Sequence, residues 1–135
     1  MQNRLKYELH NVISGKSQVR YGAIIQTIAS HLADGEISSS RVEDEKHLKN
    51  QEEERLKIYI SSNNLWLDNI DFSQYVSEGA EQKVYLKDSE HVLKLNDSIY
   101  YNSWKDYFYN LLLHNYFFSD TAYELIGFTI HDETL

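Results

Sequence analysis

The hydrophobic period of the chain changes at Leu65, and that change limits the fold more than any other feature. Before it, apolar residues recur at the spacing of a helix face. Leu5, Leu9, Val12 and Ile13 mark one helix, which Gly15 is placed to end. Ile24, Ile25, Ile28 and Leu32 repeat the pattern across Tyr21–Asp34, with Gly35 as the next stop. Ile37–Arg41 carries three consecutive serines and reads as a connector, and Ser40 with Glu43 forms a capping box. The box opens a charged helix that runs to about Ile60, with Leu48, Leu56, Tyr59 and Ile60 as its narrow apolar stripe. The acidic triplets Glu43-Asp44-Glu45 and Glu52-Glu53-Glu54 read as the solvated face of that helix.

After Leu65, tyrosine, phenylalanine and β-branched residues alternate with polar ones, the pattern of half-buried strands. Ile70–Val76 is the first predicted strand. Val84–Lys87 and His91–Leu95 are the arms of a hairpin around Asp88–Glu90. Trp104–Phe118 returns to a helix, with Phe108, Leu111, Leu112 and a Tyr116-Phe117 end on one side. A last strand is expected over about Tyr123–Ile130, followed by a turn at His131–Glu133. The expected class is α+β. A helical region, 1–62, precedes a region, 63–135, with a small antiparallel sheet of about four strands and one long helix packed on it.

Composition removes several chemistries. The chain has no cysteine, which excludes disulfides, thiolate metal sites and a cysteine nucleophile. His10, His31, His47, His91, His114 and His131 are scattered, and no pair has the i, i+4 spacing of a helical zinc site. His114-Asn115 therefore reads as structural, and so do the tyrosines around the long helix. The formal charge of −8 resides entirely in residues 60–135, an acidic half that repels a phosphate backbone and argues against a nucleic-acid partner. No apolar run approaches the ~20 residues of a membrane span, and the polar N-terminus is no signal peptide. Cytoplasm is the expected location, with no membrane partner.

One stretch carries chemistry. Ser77-Glu78-Gly79-Ala80-Glu81-Gln82-Lys83-Val84-Tyr85 resembles the glycine-rich loop of protein kinases, with Gly79 at its central glycine, then Val84 and Tyr85. Val92-Leu93-Lys94-Leu95 resembles the Val-Ala-Ile-Lys strand. More narrowly, these segments, together with His114-Asn115-Tyr116-Phe117-Phe118 and Tyr123-Glu124-Leu125-Ile126-Gly127-Phe128, resemble the kinase-like domain of polyvalent proteins. Such proteins are encoded by phages and conjugative elements of bacteria. The front, with His10–Lys16 and Tyr21–Gln26, looks like the segment that precedes this domain.

The resemblance implies a protein-kinase small lobe. In it Gly79 lets backbone approach the phosphates of ATP, Val84 packs on the base and Lys94 contacts the α- and β-phosphates. Where the family's helix supplies a glutamate to that lysine, the only acid in Trp104–Phe118 is Asp106. The departures set the expected function. Ser77 and Gln82 replace the first and third loop glycines, and no His-Arg-Asp or Asp-Phe-Gly occurs in the chain. The expectation is a truncated, non-catalytic small lobe that binds ATP at most weakly and has no certain cofactor. Its partner is an unknown protein, or a second copy meeting the surface that a large lobe would cover. The alternatives are one half of a split kinase completed by a separate large-lobe chain, and an interaction protein without nucleotide chemistry.

Overall fold

The computed structural model describes residues 2–35, 45–79 and 82–135. Three helices come first: α1 (Gln2–Ser14), α2 (Gly22–Asp34) and α3 (Glu45–Ser62). They are followed by β1 (Tyr75–Glu78), β2 (Gln82–Leu86), β3 (Val92–Asn96) and α4 (Trp104–Phe117). The class is α+β, as the change of period predicts. The serine-rich connector and the Ser40–Glu43 capping box lie outside the described residues.

The core forms where the helical stripes converge. Ile25, Ile28, Ala29 and Leu32 of α2 are fully buried, at the spacing that puts them on one face. They meet Val12 of α1, Leu56 and Ile60 of α3, and Phe108 and Leu112 of α4 in one continuous cluster. Helix α4 packs most extensively on α2, so residues from both sides of Leu65 share this core. Burial of side chains of this size is the main favourable term holding the elements together.

Two polar side chains break the expected pattern. Glu52, read as part of a solvated acidic triplet, is only 4% exposed, whereas Glu54 remains exposed. Its carboxylate accepts hydrogen bonds from the backbone N–H groups of Trp104 and Lys105, which caps α4 from the neighbouring helix. Ser103 completes the cap, its Oγ accepting from the Asp106 N–H at 3.0 Å. Asn115 is fully buried among the apolar residues of α4, while Phe117, expected on the same side, is half exposed.

The sheet has three antiparallel strands in the order β1-β2-β3. A bulge between Tyr75 and Ser77 interrupts the β1–β2 pairing, and β2–β3 is a regular hairpin. The expected fourth strand is not part of this sheet. Over 123–130 the chain has no regular structure apart from one bridge, which joins Phe128 to Trp66 in parallel. The physical reason lies in where the backbone bonds go. Phe128 N–H donates to the Leu65 carbonyl and Phe128 O accepts from Leu67 N–H, both at 2.8 Å, so both its polar groups face 65–67. Gly127 makes this approach feasible: a Cβ there would lie 2.6 Å from the Leu65 carbonyl oxygen. The chain then reverses through Asp132 and Glu133, both at positive φ, between mutual His131–Thr134 backbone bonds. That is the geometry of a two-residue hairpin turn.

Candidate functional site

The hairpin β2–β3 brings two of the predicted residues together. Val84 and Lys94 are directly opposite in the register, and the next pair on the same face is Leu86 with Val92. Leu86 and Val92 are about half exposed, so beside the lysine this face presents apolar surface to solvent. Gly79 lies past the end of β1, with its N–H donating to the Gln82 carbonyl at 2.8 Å. A Cβ added at Gly79 would meet no atom within 4 Å, so the fold itself does not require glycine there.

Lys94 is half-buried, and its ammonium donates to the Tyr123 hydroxyl at 2.9 Å. The same nitrogen lies 4.4 Å from the centre of the Tyr123 ring. Among the described residues Lys94 makes no ion pair, and the structure does not bring Asp106 to it. Asp106 occupies the first turn of α4, where its backbone N–H is taken by Ser103 and a negative charge complements the helix dipole.

Tyr123 is itself fixed from α4. The Asn115 amide donates to the Tyr123 carbonyl and accepts from the Tyr123 N–H, both at 2.8 Å. Its second donated bond goes to the Arg20 carbonyl at 3.1 Å. The His114 ring stacks on the Tyr123 ring at 4.6 Å, and His114 Nε2 lies 3.1 Å from the Thr121 carbonyl oxygen. The structural reading of His114-Asn115 therefore holds and becomes specific, because the pair fixes the residue that touches Lys94.

Next along β3, Asn96 donates to the Tyr107 hydroxyl at 3.1 Å. Burial pushes the Tyr107 phenol up to about 12. Asn96 Oδ1 and Trp104 Nε1 are buried without a partner among the described residues, and both residues line a cavity of about 90 Å³ between β3 and 125–129. A larger cleft, about 210 Å³, runs from Gly79 along the strand ends. Glu78, Asp97 and Asp132 face it against Lys83, so carboxylates outnumber ammonium groups there. No helix among the described residues is long and apolar enough to cross a membrane, and these residues hold no cluster of potential metal ligands.

The glycine turn, the lysine strand and the long helix stand in the order that the sequence resemblance leads one to expect. The family model of the serine/threonine/tyrosine kinase found in polyvalent proteins matches residues 49–135. The chain belongs to this family. The match takes in most of α3, the sheet, α4 and the segment that follows it, and it leaves α1 and α2 outside. No curated protein and no solved structure matches the chain significantly. In the polyvalent-protein kinase domain so identified, Lys94 and Val84 share one sheet face. Tyr123, which touches Lys94, and Asn115, which fixes Tyr123, were not singled out by reading the sequence for charges.

Proposed function

We propose that these 135 residues form a non-catalytic kinase small-lobe module, a fragment of a polyvalent protein of a mobile element, that binds Mg·ATP weakly. The observation that carries this reading is the pairing of Lys94 with Val84 on a sheet face that also exposes Leu86 and Val92. Such a face offers a base an apolar bed and its phosphates one ammonium group. Phosphoryl transfer further needs a base and magnesium ligands. The His-Arg-Asp and Asp-Phe-Gly sequences that carry them do not occur in the chain.

Weak binding follows from magnitudes. A partly solvated ammonium attracts a phosphate by about 1 kcal/mol or less. A millimolar complex already needs about −4 kcal/mol. One wall of a cleft buries only part of a nucleotide, while the entropy of association is lost in full. The carboxylates of Glu78, Asp97 and Asp132 near the glycine turn oppose an anion further.

The test is calorimetric titration of Mg·ATP into the wild type and Lys94→Ala. A dissociation constant of about 1 mM or weaker that rises on Lys94→Ala supports the proposal. Micromolar binding, or binding indifferent to Lys94→Ala, sinks it. Lys94-dependent transfer of the γ-phosphate to a protein substrate would refute the non-catalytic part.

A further inference from the structure

We infer that Tyr123 is the positioning residue of Lys94: a neutral hydroxyl, set by α4, that aims the ammonium at an anion without cancelling its charge. The inference rests on the nucleotide reading above and adds to it a residue of a different chemical type from the acid that the resemblance implies. Lysine carries one of the largest rotamer entropies of any side chain, so a bond that orders it beforehand lowers the cost of meeting a ligand. The 2.9 Å bond to Tyr123 Oη does this, and the ring at 4.4 Å adds attraction for the cation.

A carboxylate partner would order Lys94 too, but it would also neutralise the charge that an anion needs. A phenol accepts through a lone pair and leaves the full positive charge in place. Lys94 makes no ion pair among the described residues, which fits this division of labour. Tyr123 can serve as a fixed post because it has little freedom of its own. Asn115 holds its backbone N–H and carbonyl, and His114 stacks on its ring. Each step from α4 through Tyr123 to Lys94 is thus a direct contact.

A double-mutant cycle with Tyr123→Phe and Lys94→Ala tests this, because phenylalanine keeps the ring and its stacking and removes only the hydroxyl. Mg·ATP and adenosine are titrated into all four proteins. Tyr123→Phe is expected to weaken Mg·ATP by about threefold to tenfold. It should leave adenosine unchanged and add nothing in the Lys94→Ala background. No loss, an equal loss for adenosine, or an equal loss in the Lys94→Ala background would overturn the inference.

A second readout separates this idea from the nucleotide reading. In an ammonium-selective nitrogen–proton spectrum, the Lys94 signal, assigned by its absence in Lys94→Ala, should persist in the wild type and fade in Tyr123→Phe. It should also move with inorganic tripolyphosphate. A wild type that ignores Mg·ATP yet shows this Tyr123-dependent response retires the nucleotide reading and keeps the positioning role. A Lys94 signal that ignores tripolyphosphate, or responds equally in Tyr123→Phe, rejects the role.

Discussion

Glu52 of α3 caps the helix that begins at Trp104: its Oε1 accepts the Trp104 backbone N–H, while Oε2 takes that of Lys105 at 3.3 Å. The first N–H groups of a helix have no partner within it, and burying them unpaired is costly. One carboxylate removes two of those costs and joins two helices. Replacing Glu52 by alanine is expected to lower stability by about 1–3 kcal/mol, read from urea unfolding. An unchanged midpoint would mean that water serves the cap equally well.

The same residue sets a pH dependence. Burial raises the Glu52 carboxyl above its ordinary value of 4.5, partly offset by its bonds to Trp104 and Lys105. Between the ordinary and the raised value the folded state holds the proton more tightly than the unfolded chain does. The stabilisation that comes from holding this proton is therefore complete below 4.5 and is lost as pH rises through the folded value. Unfolding series between acid and neutral pH should show this component in the wild type and not in Glu52→Gln. Parallel curves for the two proteins would contradict it.

Lys49, one helical turn before Glu52, donates to the carbonyls of Ser98 and Tyr101 at 2.7 and 2.8 Å. Together the two residues bind the loop that leads into α4. Lys49→Met keeps most of the stem and removes both bonds to the ammonium. The expected loss is about 1.5–3 kcal/mol, because bonds to charged groups exceed neutral ones. Faster hydrogen exchange confined to residues 98–106 would be its local signature.

Asn115→Leu preserves volume in the core but strands the Tyr123 N–H and carbonyl and the Arg20 carbonyl. A cost of about 2–4 kcal/mol is expected in chemical denaturation. A stabilised Asn115→Leu protein would show that the buried amide is dispensable.

The glycines of the site separate in the same assay. Gly127→Ala drives a methyl group onto the Leu65 carbonyl oxygen and the Leu67 side chain, and should cost about 1–3 kcal/mol. Gly79→Ala meets open space and should stay within about 0.5 kcal/mol of wild type. If Gly79→Ala nevertheless weakens Mg·ATP, close approach of a ligand to that backbone is the direct explanation.

The helices and the hairpin were legible because periodicity reports which face of an element is buried. The turn at Asp88–Glu90 was legible too, whereas the pairing of Lys94 with Val84 that it produces is seen only in the structure. For the two buried polar residues, what stayed hidden has one physical cause. Glu52 falls on the stripe of Leu48, Leu56 and Ile60, and Asn115 on that of Phe108, Leu111 and Leu112. A polar residue on an apolar stripe is either a flaw in the helix or a buried group with distant partners, and those partners lie far along the chain. Had phase been weighed above residue type, both would have stood out. Tyr123 gave no such signal, since one tyrosine among eleven looks like packing. The absent fourth strand reflects pairing with 65–67, a choice that alternation alone does not reveal.

The Asn115 bond to Arg20 also reaches far along the chain. It spans 95 residues, whereas the bonds from the same amide to Tyr123 span eight. Closing the longer loop costs more chain entropy, and contacts of large sequence separation tend to slow folding. The β2–β3 hairpin, by contrast, is held by local contacts. Residues that lie before the family match thus reach Lys94 through three direct contacts, by way of Asn115 and Tyr123.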